Sequence, residues 1–300
     1  MRLFLLPIST RRTLIYSERV QEAVHGAKQS YSDRIINKAS QTWADWEKAE
    51  KGWQKKLTVY GNKALSRIAF EEWGLKSIPP ATKTKLEEID QGKHKFECLY
   101  PGAFMKSSNV SEVLKKLATE RQALHKRGLI QSLVCMPIVA PFALVPVVPN
   151  IPFFYLVFRA WSHYRALYGG RLLEHVMKKN LVQITDSKQM NAMYTAGLLH
   201  PTREESRKAS EPTAEETEEV IKKVEDQSST GKDEAMLLKG WNGKLIAEAF
   251  HLPEMEVEIE RAVEQVEKSI KANKQALVKE KKELEEVASQ KTGQADEAKR

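Results

Sequence analysis

In the uncharged run 128–158, the groups that can meet a cation are the side chains of Gln131, Ser132 and Asn150 and the backbone carbonyls that prolines set free. Such oxygens coordinate monovalent ions where helices are broken, so the carbonyls near Val147, Val148 and Ile151 join the candidate set. A proton needs a titratable carrier, and His163, just beyond the run, is the nearest. The run holds no Asp, Glu, Lys, Arg or His, whereas residues that move ions at membrane depth are as a rule ionisable. This set suits a component that assists an ion pathway better than one that forms a complete pathway alone.

The prolines decide how these groups are placed. Pro137, Pro141, Pro146, Pro149 and Pro152 each lack an amide donor, which predicts that no helix continues through them. Some thirty helical residues extend about 45 Å, more than one ~30 Å hydrocarbon core and less than two. Both flanks are basic, with His125-Lys126-Arg127 before the run and Arg159, Arg165 and Arg171 after it. Two basic flanks favour the same side of a membrane, which a hairpin satisfies and a single crossing does not. The expectation is therefore a proline-broken membrane hairpin turning over 146–152, with an exit helix that opens at Asn150. Arg127, Arg159, Trp161 and Tyr164 are expected at its interface with the headgroups. The alternative, which stays open, is the same hairpin buried inside a helical domain.

The 300 residues have a mean hydropathy of -0.49 and 29% charged residues, which excludes a chain built mostly of membrane spans. The net charge of +8 is concentrated before residue 200, and the tail beyond it is acidic. Contact with anionic lipid fits this balance. A nucleic-acid interface does not, because acids interleave with the basic residues. The expected fold is mainly α and membrane-associated, with the proline-broken hydrophobic hairpin, a small two-stranded β element and a long C-terminal helix. By region, 1–127 reads as a basic α-rich part with short strands and 128–200 as the hairpin and exit helix. Residues 201–234 read as a disordered linker, and 235–300 as a charged helical or coiled-coil tail.

Within the first region LFLLP reads either as a buried strand or as part of a presequence. KHKFECLYPG alternates as a strand and pairs with Leu3–Ile8 in the expected β element. Val20, Val24, Ala27, Tyr31, Ile35, Ala39, Trp43, Trp46, Trp53, Leu57 and Tyr60 keep helical spacing, and their tryptophans suit either an interfacial belt or a core. In the tail, Ile259, Val263, Val266, Ile270, Leu277, Leu284 and Val287 follow a 3/4 register. The seven histidines and two cysteines form no ligand or catalytic spacing, so neither an enzyme, a metal site nor a cofactor is expected.

MRLFLLPIS at the start, FECLYPG at 96–102 and PFALVPVVPNIPFFYLVFRAWSHYRALYGG at 141–170 resemble the mitochondrial potassium/proton exchange-related family. The resemblance covers about residues 1–200 and is most specific in the proline block followed by Arg159-Ala160-Trp161-Ser162-His163. It implies a mitochondrial inner-membrane protein that takes part in potassium/proton exchange, with potassium and protons as its partners; the apolar run and the charged tail add membrane lipid and other protein subunits as expected partners. No ion ligands carry over from it. Joined to the missing ionisable groups, it favours an accessory or assembly component over a complete antiporter. The alternative is a membrane-anchored scaffold that recruits a partner through its C-terminal coiled coil.

Overall fold

A computed structural model describes residues 1–18, 38, 41–42, 45–141, 150–228 and 234–297. The expected stripe from Val20 to Ile35, with Ala39 and Trp43, and the prolines Pro146 and Pro149 lie outside the described residues. The chain forms two compact units, one of 1–5, 15–100 and 106–186 and the other of 6–14, 101–105 and 187–300.

The first unit is built on strands β1 (Arg2–Pro7), β2 (Thr13–Ser17), β3 (Phe96–Tyr100) and β4 (Val182–Asp186), ordered β2-β1-β3-β4. β1 and β4 both run parallel to β3, with Leu3 opposite Cys98 and Cys98 opposite Ile184. Leu3, Phe4, Leu5 and Leu6 are all fully buried, which is why β1 is apolar without alternation: both of its faces are covered. β3 does alternate, with Phe96, Cys98 and Tyr100 buried and Glu97 and Leu99 half-buried. Burial pushes the Cys98 thiol up to about 12, so it is an inert core residue. The pairing of 96–100 with the N-terminus is as read from sequence, but the sheet has four strands instead of two. Thr13–Ser17 is buried without alternation and Val182–Asp186 is only half-buried, so neither shows the pattern that marks 96–100.

Around the sheet lie α1 (Trp53–Leu65), α2 (Phe70–Ser77), α3 (Lys83–Asp90), α4 (Ser107–Thr119), α5 (Gln122–Val139) and α6 (Ile151–Lys178). Gly52, at φ 106°, caps α1 in a backbone region closed to most residues, so any helix before it ends there. α6 packs against α2, α4 and α5. Gly169 and Gly170 make this possible: a Cβ at Gly169 would lie 2.2 Å from the Leu75 carbonyl oxygen, and one at Gly170 2.9 Å from that of Ala118.

The membrane hairpin must be corrected, because no helix among the described residues is long and apolar enough to cross a membrane. α5 carries His125, Lys126 and Arg127 in its first two turns, so its apolar part from Gly128 to Val139 rises only about 18 Å. The apolar start of α6 is shorter still and stops at Arg159, which turns inward to a carboxylate. Pro137 does not break its helix either, as α5 runs through it. A helical proline orphans the carbonyl four residues earlier, here that of Leu133, a residue that is exposed.

The second unit holds α7 (Lys188–Leu199), α8 (Arg203–Lys208), α9 (Ala214–Ser228), α10 (Asn242–Ala249) and α11 (Pro253–Glu297). The hairpin tip between β1 and β2 belongs to it, and Ile8 accepts there from Leu237 N at 2.9 Å. The segment 201–234, expected to be disordered, contains α8 and α9, which open on Thr202 and on Thr213 with Glu216. The capping box T-x-x-E was present in the sequence and outweighed by composition. The first part of the tail's register is core: Met255, Ile259, Ala262, Val263 and Val266 are buried, whereas Leu277 and Val278 are exposed.

Candidate functional site

Glu72 on α2, His125 on α5, and Arg159, Ser162 and His163 on α6 form a buried polar cluster inside the first unit. α2 opens with two acids, Glu71 and Glu72, and its turn sends them apart. Glu71 meets Arg121 at 2.7 Å, while Glu72 points inward. On α6, Arg159, Ser162 and His163 are three and four residues apart and so share one face. Gly128 on α5 leaves room for the His163 ring, since a Cβ there would lie 2.4 Å from Nε2.

Glu72 is the centre. Its Oε1 accepts from Arg159 Nη1 at 2.7 Å and from the Ser162 hydroxyl at 2.5 Å, and its Oε2 lies 3.3 Å from Arg159 Nη2. Arg159 Nη2 also reaches His163 Nε2 at 2.9 Å. Guanidinium nitrogens only donate, so His163 Nε2 accepts and neutral His163 carries its hydrogen on Nδ1. That Nδ1 donates to His125 Nδ1 at 3.2 Å. His125 therefore keeps its hydrogen on Nε2, a buried nitrogen with no hydrogen-bond partner among the described residues.

Both imidazoles are held below their usual range. For His125 burial is the main cause and brings it down to about 4, with His163, Arg121 and Arg159 adding to the effect and Glu72 opposing it. For His163 burial again comes first, then Arg159, with Glu72 opposing. Burial pushes the Glu72 carboxyl up, but Ser162, Arg159 and His163 together outweigh it and hold it below the usual carboxylate range. The sign for stability follows. The unfolded chain binds more protons than the folded one once pH drops below about 6.5, so stability is full above that value and declines toward pH 4. The His125 share across that window approaches about 3 kcal/mol. Urea midpoints should fall from pH 8 to pH 5 in the native chain and fall less in His125→Gln; equal slopes would discard this assignment.

Glu72, His125 and His163 each offer a ligand atom within 4.8 Å of the others. A metal at the two Nδ1 atoms would move the His163 hydrogen onto Nε2, directly against Arg159, and would bring further positive charge beside a guanidinium. Ligating histidines normally donate to a carboxylate or carbonyl on their far side. The donor set is complete but its surroundings have the wrong sign, and the cluster does not fit a metal.

Of the groups singled out from sequence, only His163 and Arg159 enter this cluster. Asn150 is a helix cap: its Oδ1 accepts from Phe153 N at 3.1 Å and its Nδ2 donates to the Val139 carbonyl at 2.9 Å. Ser132 is buried and donates to the Gly128 carbonyl at 2.8 Å, and Gln131 is exposed. Arg127 and Tyr164 are exposed, and Pro137 and Pro152 lie in α5 and at the start of α6. Trp161 is partly exposed and borders the buried Lys76 ammonium, which sits 3.2 Å from the Trp73 ring centre and 5.1 Å from that of Trp161. The sequence reading missed Glu72, His125 and Ser162 as site residues. The one local signal was the Arg159–His163 spacing of a single helical turn.

The fold and the cluster define a mostly helical protein with a small mixed sheet, whose buried Glu72 is paired with Arg159. It belongs to the mitochondrial K+-H+ exchange-related family, which matches residues 2–177. An uncharacterised protein of Schizosaccharomyces pombe is 28% identical over 193 residues, covering 63% of this chain and 81% of that protein. An uncharacterised protein of Saccharomyces cerevisiae is 24% identical over 201 residues, covering 58% of this chain and 62% of that one. No solved structure matches.

Proposed function

We propose that this chain is an accessory component of potassium/proton exchange at the mitochondrial inner membrane, acting with a separate ion-conducting subunit. Family membership supports the link to exchange. The accessory role rests on the closure of the polar cluster, in which the Glu72 carboxylate is already occupied by Arg159 and Ser162. A cation pathway needs an oxygen set that an arriving ion can enter, and these oxygens are engaged. Ile130, Leu133, Val134 and Ile138 on α5, with Phe154, Tyr155 and Val157 on α6, are exposed and form the surface offered to the partner subunit.

Swelling of mitochondria in potassium acetate should slow when this chain is removed and recover when it is restored. The purified chain in potassium-loaded vesicles should give no coupled proton flux. Unchanged swelling would remove the link to exchange, and flux from the chain alone would remove the accessory role. Asn150→Ala should leave swelling unaltered and cost only about 1 kcal/mol, as the loss of a helix cap does.

A second reading, as an adaptor, has one observation in its favour: α11 continues beyond its buried segment and leaves Leu277 and Val278 exposed. Its test is truncation after Ile270, which spares the buried residues from Met255 to Val266. Partner capture lost with swelling intact would favour the adaptor.

A further inference from the structure

We propose that Arg159, His163 and His125 form a proton-released latch that holds α5 and α6 to α2. The tautomers in this chain are set from one end by Arg159, which can only donate. A proton added to His163 would place Nε2–H against the guanidinium, and one added to His125 would place Nδ1–H against the Nδ1–H of His163. Neither imidazolium fits while Arg159 stays on His163.

The carboxylate oxygen that faces both rings is Glu72 Oε2, 4.0 Å from His125 Nδ1 and 3.9 Å from His163 Nδ1. An imidazolium formed at either ring turns to that oxygen; when it is His163, Arg159 leaves Nε2 while keeping Glu72 Oε1. The charged groups facing the pair are Glu72 and Lys76 from α2, Arg121 at the start of α5 and Arg159 on α6. Glu72 alone among them is negative, and Arg121 is itself held by Glu71. A proton taken up on His163 therefore breaks the hydrogen bond from Arg159, and one taken up on His125 breaks the hydrogen bond from His163.

Several features make this junction sensitive. Gly128 brings the α5 backbone against His163, and the three helices carrying the cluster meet through these side chains. The His125 Nε2–H has no partner to lose, so movement of that ring sacrifices no other hydrogen bond. The latch stands whatever part the chain plays in exchange.

Hydrogen exchange on the purified full chain tests it, with rates corrected for intrinsic pH dependence. Peptides from 122–139 and 151–170 should open more as pH falls from about 7.5 to about 5, by up to about tenfold per pH unit once the pair titrates, while 96–100 stays protected. His163→Gln combined with His125→Gln, which leaves an acceptor for Arg159 and no titrating ring, should abolish the acid response. Absence of the response in the native chain, or its persistence in the double variant, would overturn the latch. Should the variant not fold, nitrogen NMR of the native chain labelled at histidine decides. One neutral ring protonated at Nδ1 and its neighbour protonated at Nε2 support the wiring, and any other pair of tautomers overturns it.

Discussion

Replacing Glu72 by Gln should lower stability by about 3–5 kcal/mol, the usual result when one partner of a buried ion pair is removed. Glu72 is 3% exposed and accepts from Arg159 and Ser162, so the variant leaves a largely buried guanidinium without its counter-charge. Removing both charges should cost less than removing one, and Glu72→Gln with Arg159→Met is expected to recover part of the loss. Equilibrium urea unfolding of the two single variants and the double variant gives the coupling directly. A Glu72→Gln loss below about 1 kcal/mol would mean that the carboxylate is not the keystone of the cluster.

The second large effect is expected at Gly169. In an exposed helix Gly→Ala adds about 1 kcal/mol of stability, because alanine loses less backbone freedom on folding. At Gly169 the new methyl would lie 2.2 Å from the Leu75 carbonyl oxygen and 3.2 Å from that of Ile78. Both are backbone atoms, so α6 must move away from α2 and the propensity gain is overwhelmed. A net loss of about 1–3 kcal/mol or more is expected from such overpacking. Gly240→Ala, with nothing within 4 Å of the added Cβ, is the control and should be close to neutral in the same melt. If the two variants melt alike, the close approach of α6 to α2 is not what the glycine serves.

What was legible in the sequence was local. LFLLP, FECLY, the Asn150 cap and the long helical spacing through Trp161 and Tyr168 are patterns of neighbours, and each produced the element it pointed to. The cluster was illegible because it joins α2, α5 and α6 across ninety residues, and a lone Glu in EEW looks like any first-turn acid. The apolar run misled for the opposite reason. Its uncharged stretch was continuous in sequence but contributes to two helices, neither of them long and apolar enough to cross, and both with exposed apolar residues. Composition hid the helices at 203–208 and 214–228, where capping by Thr202, Thr213 and Glu216 outweighed the scarcity of large apolar residues.

The position of β3 between β1 and β4 also sets an order in time. β3 pairs Leu3 on one side and Ile184 on the other, so the sheet joins residues 3 and 184 of a chain made from one end. While the ribosome works through the intervening helices, Leu3 to Leu6 have no β3 to pair with, and the far edge of β3 has no β4. Non-local pairing of this kind is slow, and an unpaired apolar strand is open to other chains in the interval. β1 thus stays open to other chains until β3 has emerged, and the far edge of β3 until β4 has.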